Sequence, residues 1–128
     1  MMTENEIAKR IVDAAYKVHT ALGPGLLESA YEAALAHVLR KHGLQVACQQ
    51  PMPLVYESVY LDVGYRLDLL VEERVIVEVK SVEQTAPVHL KQLLTYLRLA
   101  DKRLGLLINF GMARIKDGIH RVVNGLPE

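Results

Sequence analysis

The chain has 128 residues, of which 51% are hydrophobic and 23% charged, ordinary globular usage for one domain long enough to bury a core. Its 15 basic and 15 acidic residues cancel, so overall charge lends no support to a nucleic-acid partner, although it leaves room for a local basic patch. The single cysteine excludes an internal disulfide and, with no signal-peptide pattern, a reducing cytoplasm is the expected setting; no apolar run is long enough to span a membrane.

Thr3 and Glu6 form a capping-box pattern, and Ile7, Ile11, Ala14, Ala15 and Val18 follow at helical spacing. The glycine-proline-glycine run at 23–25 predicts the end of that helix. Leu27, Tyr31, Leu35, Val38 and Leu39 mark a second helix, which closes on Lys41, His42 and Gly43. The segments LQVACQQ, MPLVYESVYLD, YRLDLLV and VIVEVK are short and β-rich, and Cys48 reads as a strand residue rather than a catalytic thiol. Glu72 to Arg74 predicts a tight antiparallel connection. PVHLKQLLTYLRLAD returns to helical period, with its proline in the first turn. RLGLLINF is a further strand, and IKDGIHRVV holds a KDG turn and a last short strand. Helix, helix, strands, helix, strand, strand suits an α/β sheet with helices packed on it, with a right-handed parallel crossover from Val75 to Phe110.

Within VIVEVKS, Glu78 and Lys80 are two residues apart and leave the same face of a strand that otherwise looks buried. Charges in such a place need partners or a ligand. If the two strands flanking Glu72 to Arg74 pair, Asp68 can face Glu78. Two adjacent carboxylates repel unless a proton or cation lies between them. Mg²⁺ uses one or two carboxylates while keeping waters, and a nearby lysine can hold a phosphate oxygen or orient the attacking water. The competing reading is a sheet-edge salt bridge of Asp68 with Arg66 or Arg74, and spacing alone does not choose between the two. Gln92 and Tyr96 share a face of the following helix, as do Glu28 and Tyr31 on the second; helix-dipole stabilisation alone is enough to account for Glu28.

In these motifs the chain resembles the PD-(D/E)xK nuclease superfamily and, more narrowly, its GxxExxY family. GPGLLESAY carries the naming motif as Gly25, Glu28 and Tyr31, and GYRLDLLVEERVIVEVKSV carries Asp68, Glu78 and Lys80. PVHLKQLLTYLRL supplies Gln92 and Tyr96 as a Q-x-x-x-Y element, and LGLLINFG and IKDGIHRVV are similar to the closing strands. The resemblance spans nearly the whole chain. It implies one domain over 1–128 with a restriction-endonuclease-like core, a central mixed β-sheet flanked by helices. It implies that Asp68, Glu78 and the Val79 backbone carbonyl bind Mg²⁺ or Mn²⁺, with Glu28 completing the site. Lys80 would position the water and stabilise developing phosphate charge, and Gln92 and Tyr96 would orient Lys80, a water or the DNA backbone. Leu67 departs from the pattern, standing where a smaller residue is usual before the aspartate, which is a matter of packing.

His19, His37, His42, His89 and His120 are scattered without zinc-site spacing. His89, three residues before Gln92, is a candidate substrate contact beside a plain surface histidine, and Lys91 and Arg66 are the other candidate phosphate contacts. The 23–25 run lacks the lysine of a phosphate loop. Arg98, Lys102 and Arg103, and likewise Arg114, Lys116 and Arg121, are solvated faces or DNA-phosphate patches. The expected function is Mg²⁺-dependent hydrolysis of nucleic acid, DNA first, in repair, recombination or defence. The alternative is a non-catalytic nuclease-fold binding or assembly module. A homodimer or larger complex is expected as partner state, with no membrane.

Overall fold

The structure, a computed structural model, describes residues 1–52 and 54–127. Helix α1 spans Glu4–Leu22, and the Thr3 hydroxyl accepts the Glu6 N–H at 3.1 Å, capping an otherwise unpaired donor. Its buried face is Ile7, Ile11, Ala14, Ala15 and Val18, the stripe that the spacing predicts. Helix α2 spans Glu28–Lys41. It closes where Gly43, at φ 87°, donates to the Arg40 carbonyl at 3.0 Å and Leu44 donates to the Leu39 carbonyl at 3.1 Å. That is the paired Schellman closure, which needs the left-handed backbone glycine adopts freely.

Strand β1, Val46–Pro51, is followed by a two-stranded hairpin of β2, Leu54–Tyr56, and β3, Val59–Leu61, which forms its own sheet. The fold-back within MPLVYESVYLD lies at Glu57 and Ser58, at φ 50° and 65°, with no glycine to announce it. Strands β4, Arg66–Val71, and β5, Val75–Lys80, are joined by a turn in which Arg74 N–H donates to Val71 at 3.0 Å. Glu72 and Glu73 there take positive φ, the handedness that matches strand twist in a tight hairpin. Helix α3, Pro87–Ala100, leads to β6, Leu104–Asn109, which pairs parallel to β5. The KDG segment is a 3₁₀ turn, Ile115–Gly118, running directly into β7, Ile119–Val123.

The main sheet has the order β1-β4-β5-β6-β7, antiparallel except for β5–β6, so it is mixed. Helices α1 and α2 cover one face, where Leu69, Val71, Val75, Val77, Val79, Leu104, Leu106 and Ile108 are buried. The other face packs Ile76 and Leu107 against Leu93, Tyr96 and Leu97 of α3. The fold is thus α/β, helices on both sides of a central sheet, as expected. Because β5 is central and covered on both faces, nearly all of it is buried, and burying this apolar surface is the main drive for folding. Leu67, 2% exposed, fills space among Met52, Ile76 and Leu93, so its bulk is used in packing. No helix among the described residues is long and apolar enough to cross a membrane.

Candidate active site

The β4–β5 ladder pairs Val71 with Val75, Leu70 with Ile76 and Leu69 with Val77, and its Cα register ends there. The next residues in line are Asp68 and Glu78. Asp68 Oδ2 accepts the Val79 N–H at 2.9 Å, and the Asp68 N–H approaches Glu78 Oε1 at 3.4 Å. Side-chain carboxylates therefore take up donors that a continuing ladder would have used, and the hairpin opens at its mouth with both acids inside it. Backbone groups alternate sides along a strand. Lys80 O accepts Phe110 N–H towards β6, so the Val79 carbonyl turns with its N–H towards the open β4 side.

Glu78 is 7% exposed. Burial, reinforced by the nearby Asp68 charge, pushes its carboxyl up to about 8, and Lys80 only partly offsets this. Among the described residues Asp68 forms no ion pair. Arg74, one of its candidate partners, instead bonds Glu4 at 2.5 Å and the Met2 carbonyl, and Arg66 makes no bond to it. The sheet-edge salt bridge is therefore not what these residues build. Tyr96, on α3, accepts a hydrogen bond from Gln92 Nε2 at 2.9 Å. Its phenol is raised by burial and then by the charges of Glu78, Tyr65 and Asp68.

Glu28 begins α2. It is held there by Tyr31, fully buried, whose hydroxyl donates to Gly23 O at 2.5 Å and accepts Leu26 N–H at 3.1 Å. The Tyr31 ring stacks on Phe110 at 4.6 Å, and Ser81 Oγ donates to Leu26 O at 2.6 Å, tying this turn to the exit of β5. Glu28 makes no hydrogen bond to Asp68 or Glu78. It adds to the repulsion that raises Glu32, one helical turn on. His89 Nδ1 accepts the Ala86 N–H at 3.1 Å, closing the first turn of α3, while Lys91 and Arg66 are exposed and their side chains bond to none of the carboxylates.

Sequence reasoning passed over Glu32 and Gln49. Gln49 Nε2 donates to both oxygens of Glu32 at 3.0 Å and approaches Asp68 Oδ1 at 3.3 Å. It lies opposite Asp68 with φ 52°, between the register pairs Cys48–Leu69 and Gln50–Leu67. Glu32 is raised by burial and, against the Gln49 hydrogen bond, by Asp68 and Glu28. The position of Glu32 four residues after Glu28 was the available signal. Asn109 was also missed. Fully buried beside Lys80, its Oδ1 accepts Val82 N–H at 3.1 Å and Gly111 N–H at 2.9 Å, and its Nδ2 donates to Thr85 at 3.3 Å. It fixes the loop between β5 and α3.

Among the described residues no three His, Cys, Asp or Glu side chains converge as a ready-made metal cage. What is present is a pair of carboxylates, one of them buried and disfavoured as an anion, with a backbone carbonyl turned to the same side. That donor set fits a hard divalent cation that keeps several waters. A cleft of about 270 Å³ lined by Arg10, Asp13, Lys17 and His42, among others, contains none of these groups and has no part in the site.

The fold and this strand-end acid pair define a nuclease-type α/β core. The model of the PD-(D/E)XK nuclease superfamily matches residues 5–122, and the chain belongs to that superfamily. Searches of curated proteins and of solved structures each returned no match.

Proposed function

We propose that this protein is a divalent-metal-dependent nuclease that hydrolyses phosphodiester bonds, with DNA as the expected substrate and repair, recombination or defence as its setting. Within the superfamily we assign it to the GxxExxY group, on Gly25, Glu28 and Tyr31. The observation that carries the reading is the buried Glu78 carboxyl beside Asp68 at the mouth of the β4–β5 hairpin. A proton or a cation relieves that repulsion, and membership of the superfamily favours the cation.

In this reading Asp68, Glu78 and the Val79 carbonyl would hold Mg²⁺ or Mn²⁺, and Glu28 would complete the site. The ion, when bound, supplies Lewis acidity and an acidified water. Lys80 leaves the same strand face as Glu78, so its ammonium can donate to a non-bridging phosphate oxygen and stabilise the charge that grows there. Water adds to phosphorus and gives up a proton to solvent, the bond to the leaving oxygen breaks, and that oxygen takes a proton from solvent. Gln92 fixes the Tyr96 hydroxyl, and the pair would orient Lys80, a water or the DNA backbone. His89, Lys91 and Arg66 would contact the nucleic-acid backbone.

Purified protein with Mg²⁺ or Mn²⁺ is expected to cleave at least one form in a panel of single- and double-stranded DNA and RNA. Lys80→Ala should abolish cleavage; equal cleavage by wild type and Lys80→Ala would remove the catalytic assignment. A second reading, a nuclease-fold assembly module, is favoured by the exposed apolar β2–β3 hairpin. Metal binding without cleavage of any nucleic acid would select it.

A further inference from the structure

Residue 49 interrupts strand β1. Its neighbours Cys48 and Gln50 pair with Leu69 and Leu67, while Gln49, opposite Asp68, takes φ 52°. Glycine adopts that backbone freely, whereas a glutamine meets a steric cost there. Such a residue persists where its surroundings hold it, and sites of function are where this recurs. The Gln49 amide nitrogen donates to Glu32 Oε1 and Oε2, each at 3.0 Å, and to Asp68 Oδ1 at 3.3 Å. One nitrogen with two hydrogens therefore serves three carboxylate oxygens. A plain tether between α2 and β1 is already supplied elsewhere. Arg40, in the last turn of α2, donates to the Val46 carbonyl at 2.6 Å.

Asp68 has one oxygen on the Val79 N–H and the other on Gln49, so its carboxylate is held from both ends. Glu32 is half-buried, one helical turn beyond Glu28, and only the Gln49 amide is seen between it and Asp68 among the described residues. Without that amide Glu32 would be a further carboxylate free to enter the site. We propose that Gln49 is a specificity-determining residue of the metal site: it withholds Glu32 and one oxygen of Asp68 from the ion, and so favours Mg²⁺ over Ca²⁺. The inference rests on the metal reading of Asp68 and Glu78. The two ions differ in how many oxygens they take. Ca²⁺ gathers about six to eight and accepts bidentate carboxylates, while Mg²⁺ is met by one or two carboxylates and keeps its waters. A neutral amide can occupy carboxylate oxygens without adding a charge that would repel either ion.

Titration calorimetry of the full chain with Mg²⁺ alone and with Ca²⁺ alone tests this. Gln49→Gly and Gln49→Asn both suit the left-handed backbone, and the asparagine amide is one methylene too short for the bridge. Their far-ultraviolet circular dichroism should match wild type. In each, the ratio of Ca²⁺ to Mg²⁺ affinity should rise by about tenfold or more. Adding Glu32→Gln to Gln49→Gly should remove most of that rise. An unchanged ratio, or equal weakening of both ions, would make Gln49 a structural support and overturn the proposal. A rise that survives Glu32→Gln would also overturn it, since Glu32 would not be what the amide withholds. Wild type that binds neither ion overturns the metal reading and this inference with it. Wild-type binding that is lost in Asp68→Asn, beside an unchanged ratio in the Gln49 variants, overturns this inference alone.

Discussion

The backbone N–H of Asp68 approaches Glu78 Oε1 at 3.4 Å, while Asp68's own carboxylate clasps the N–H of the residue after Glu78. This exchange replaces the next rung of the ladder and leaves two acids in a nearly dry mouth. Glu78 holds its proton to about pH 8 in the folded chain, whereas the unfolded chain releases it near 4.5. Between these values the folded state binds more protons, so stability falls as pH rises through the window. Metal-free protein should lose on the order of a few kcal/mol of stability between pH 5 and pH 8, by urea unfolding in chelator. Glu78→Gln should flatten that slope, and an unchanged slope in the variant would place the linkage elsewhere.

Added Mg²⁺ or Mn²⁺ should reverse the loss. A ligand that binds only the folded state stabilises it by about 2.7 kcal/mol at a hundredfold excess over its Kd. The proton on Glu78 competes with the cation, so the thermal shift should be larger at pH 8 than at pH 6. Asp68→Asn should abolish the shift at both pH values. Titration calorimetry with the metal alone checks the same point, with proton release expected on binding.

The periodic parts of the fold were legible in the sequence because each had one dominant signal. α1 had its Thr3 cap and apolar stripe, α2 had Gly43, and β5 had the β-branched Val75, Ile76, Val77 and Val79 of a buried strand. The site was legible in part because Glu78 and Lys80 conflict with that burial, and a conflict between local rules marks function. The β2–β3 fold-back was not legible, since Glu57 and Ser58 adopt left-handed backbone without the usual turn residues. Gln49 was hidden for a similar reason. Its side chain reaches Asp68 only because its own backbone breaks the β1 pleat, which no period-two pattern reveals. Glu32 offered only its place one turn after Glu28, and the bonds of Asn109 depend on long-range neighbours that a single sequence does not display.

The Gln49 amide is the only group seen bridging Glu32 and Asp68 among the described residues. Gln49→Gly keeps the positive φ and removes the bridge, leaving two carboxylates to face each other. It should cost about 1–2 kcal/mol in chelator. Under the metal reading that deficit should narrow with Mg²⁺, because a bound cation relieves the same repulsion. A deficit independent of Mg²⁺ would confine Gln49 to a structural role.

Gly111 sets the loop that leaves β6. A Cβ there would lie 2.4 Å from Val82 O and 2.7 Å from Val82 N, backbone atoms that cannot swing aside. Gly111→Ala should therefore destabilise by about 3 kcal/mol or displace the Val82 segment, loosening the Asn109 bonds beside Lys80. Denaturant unfolding measures the first outcome, and faster amide exchange at Val82 the second.

Tyr31 stands three residues after Glu28, yet its role is to hold the turn that presents Glu28. Tyr31→Phe keeps the stack on Phe110 but leaves the Leu26 N–H and Gly23 carbonyl without the hydroxyl between them. The loss should be about 1–3 kcal/mol, read as a lower midpoint in urea with unchanged slope. If Glu28 also serves the metal, the variant should bind Mg²⁺ more weakly than this loss of global stability explains. Glu28→Gln should then weaken binding with little change in the midpoint, because its carboxylate makes no hydrogen bond among the described residues. Weakened binding in Tyr31→Phe together with unaltered binding in Glu28→Gln would assign the motif to turn geometry alone.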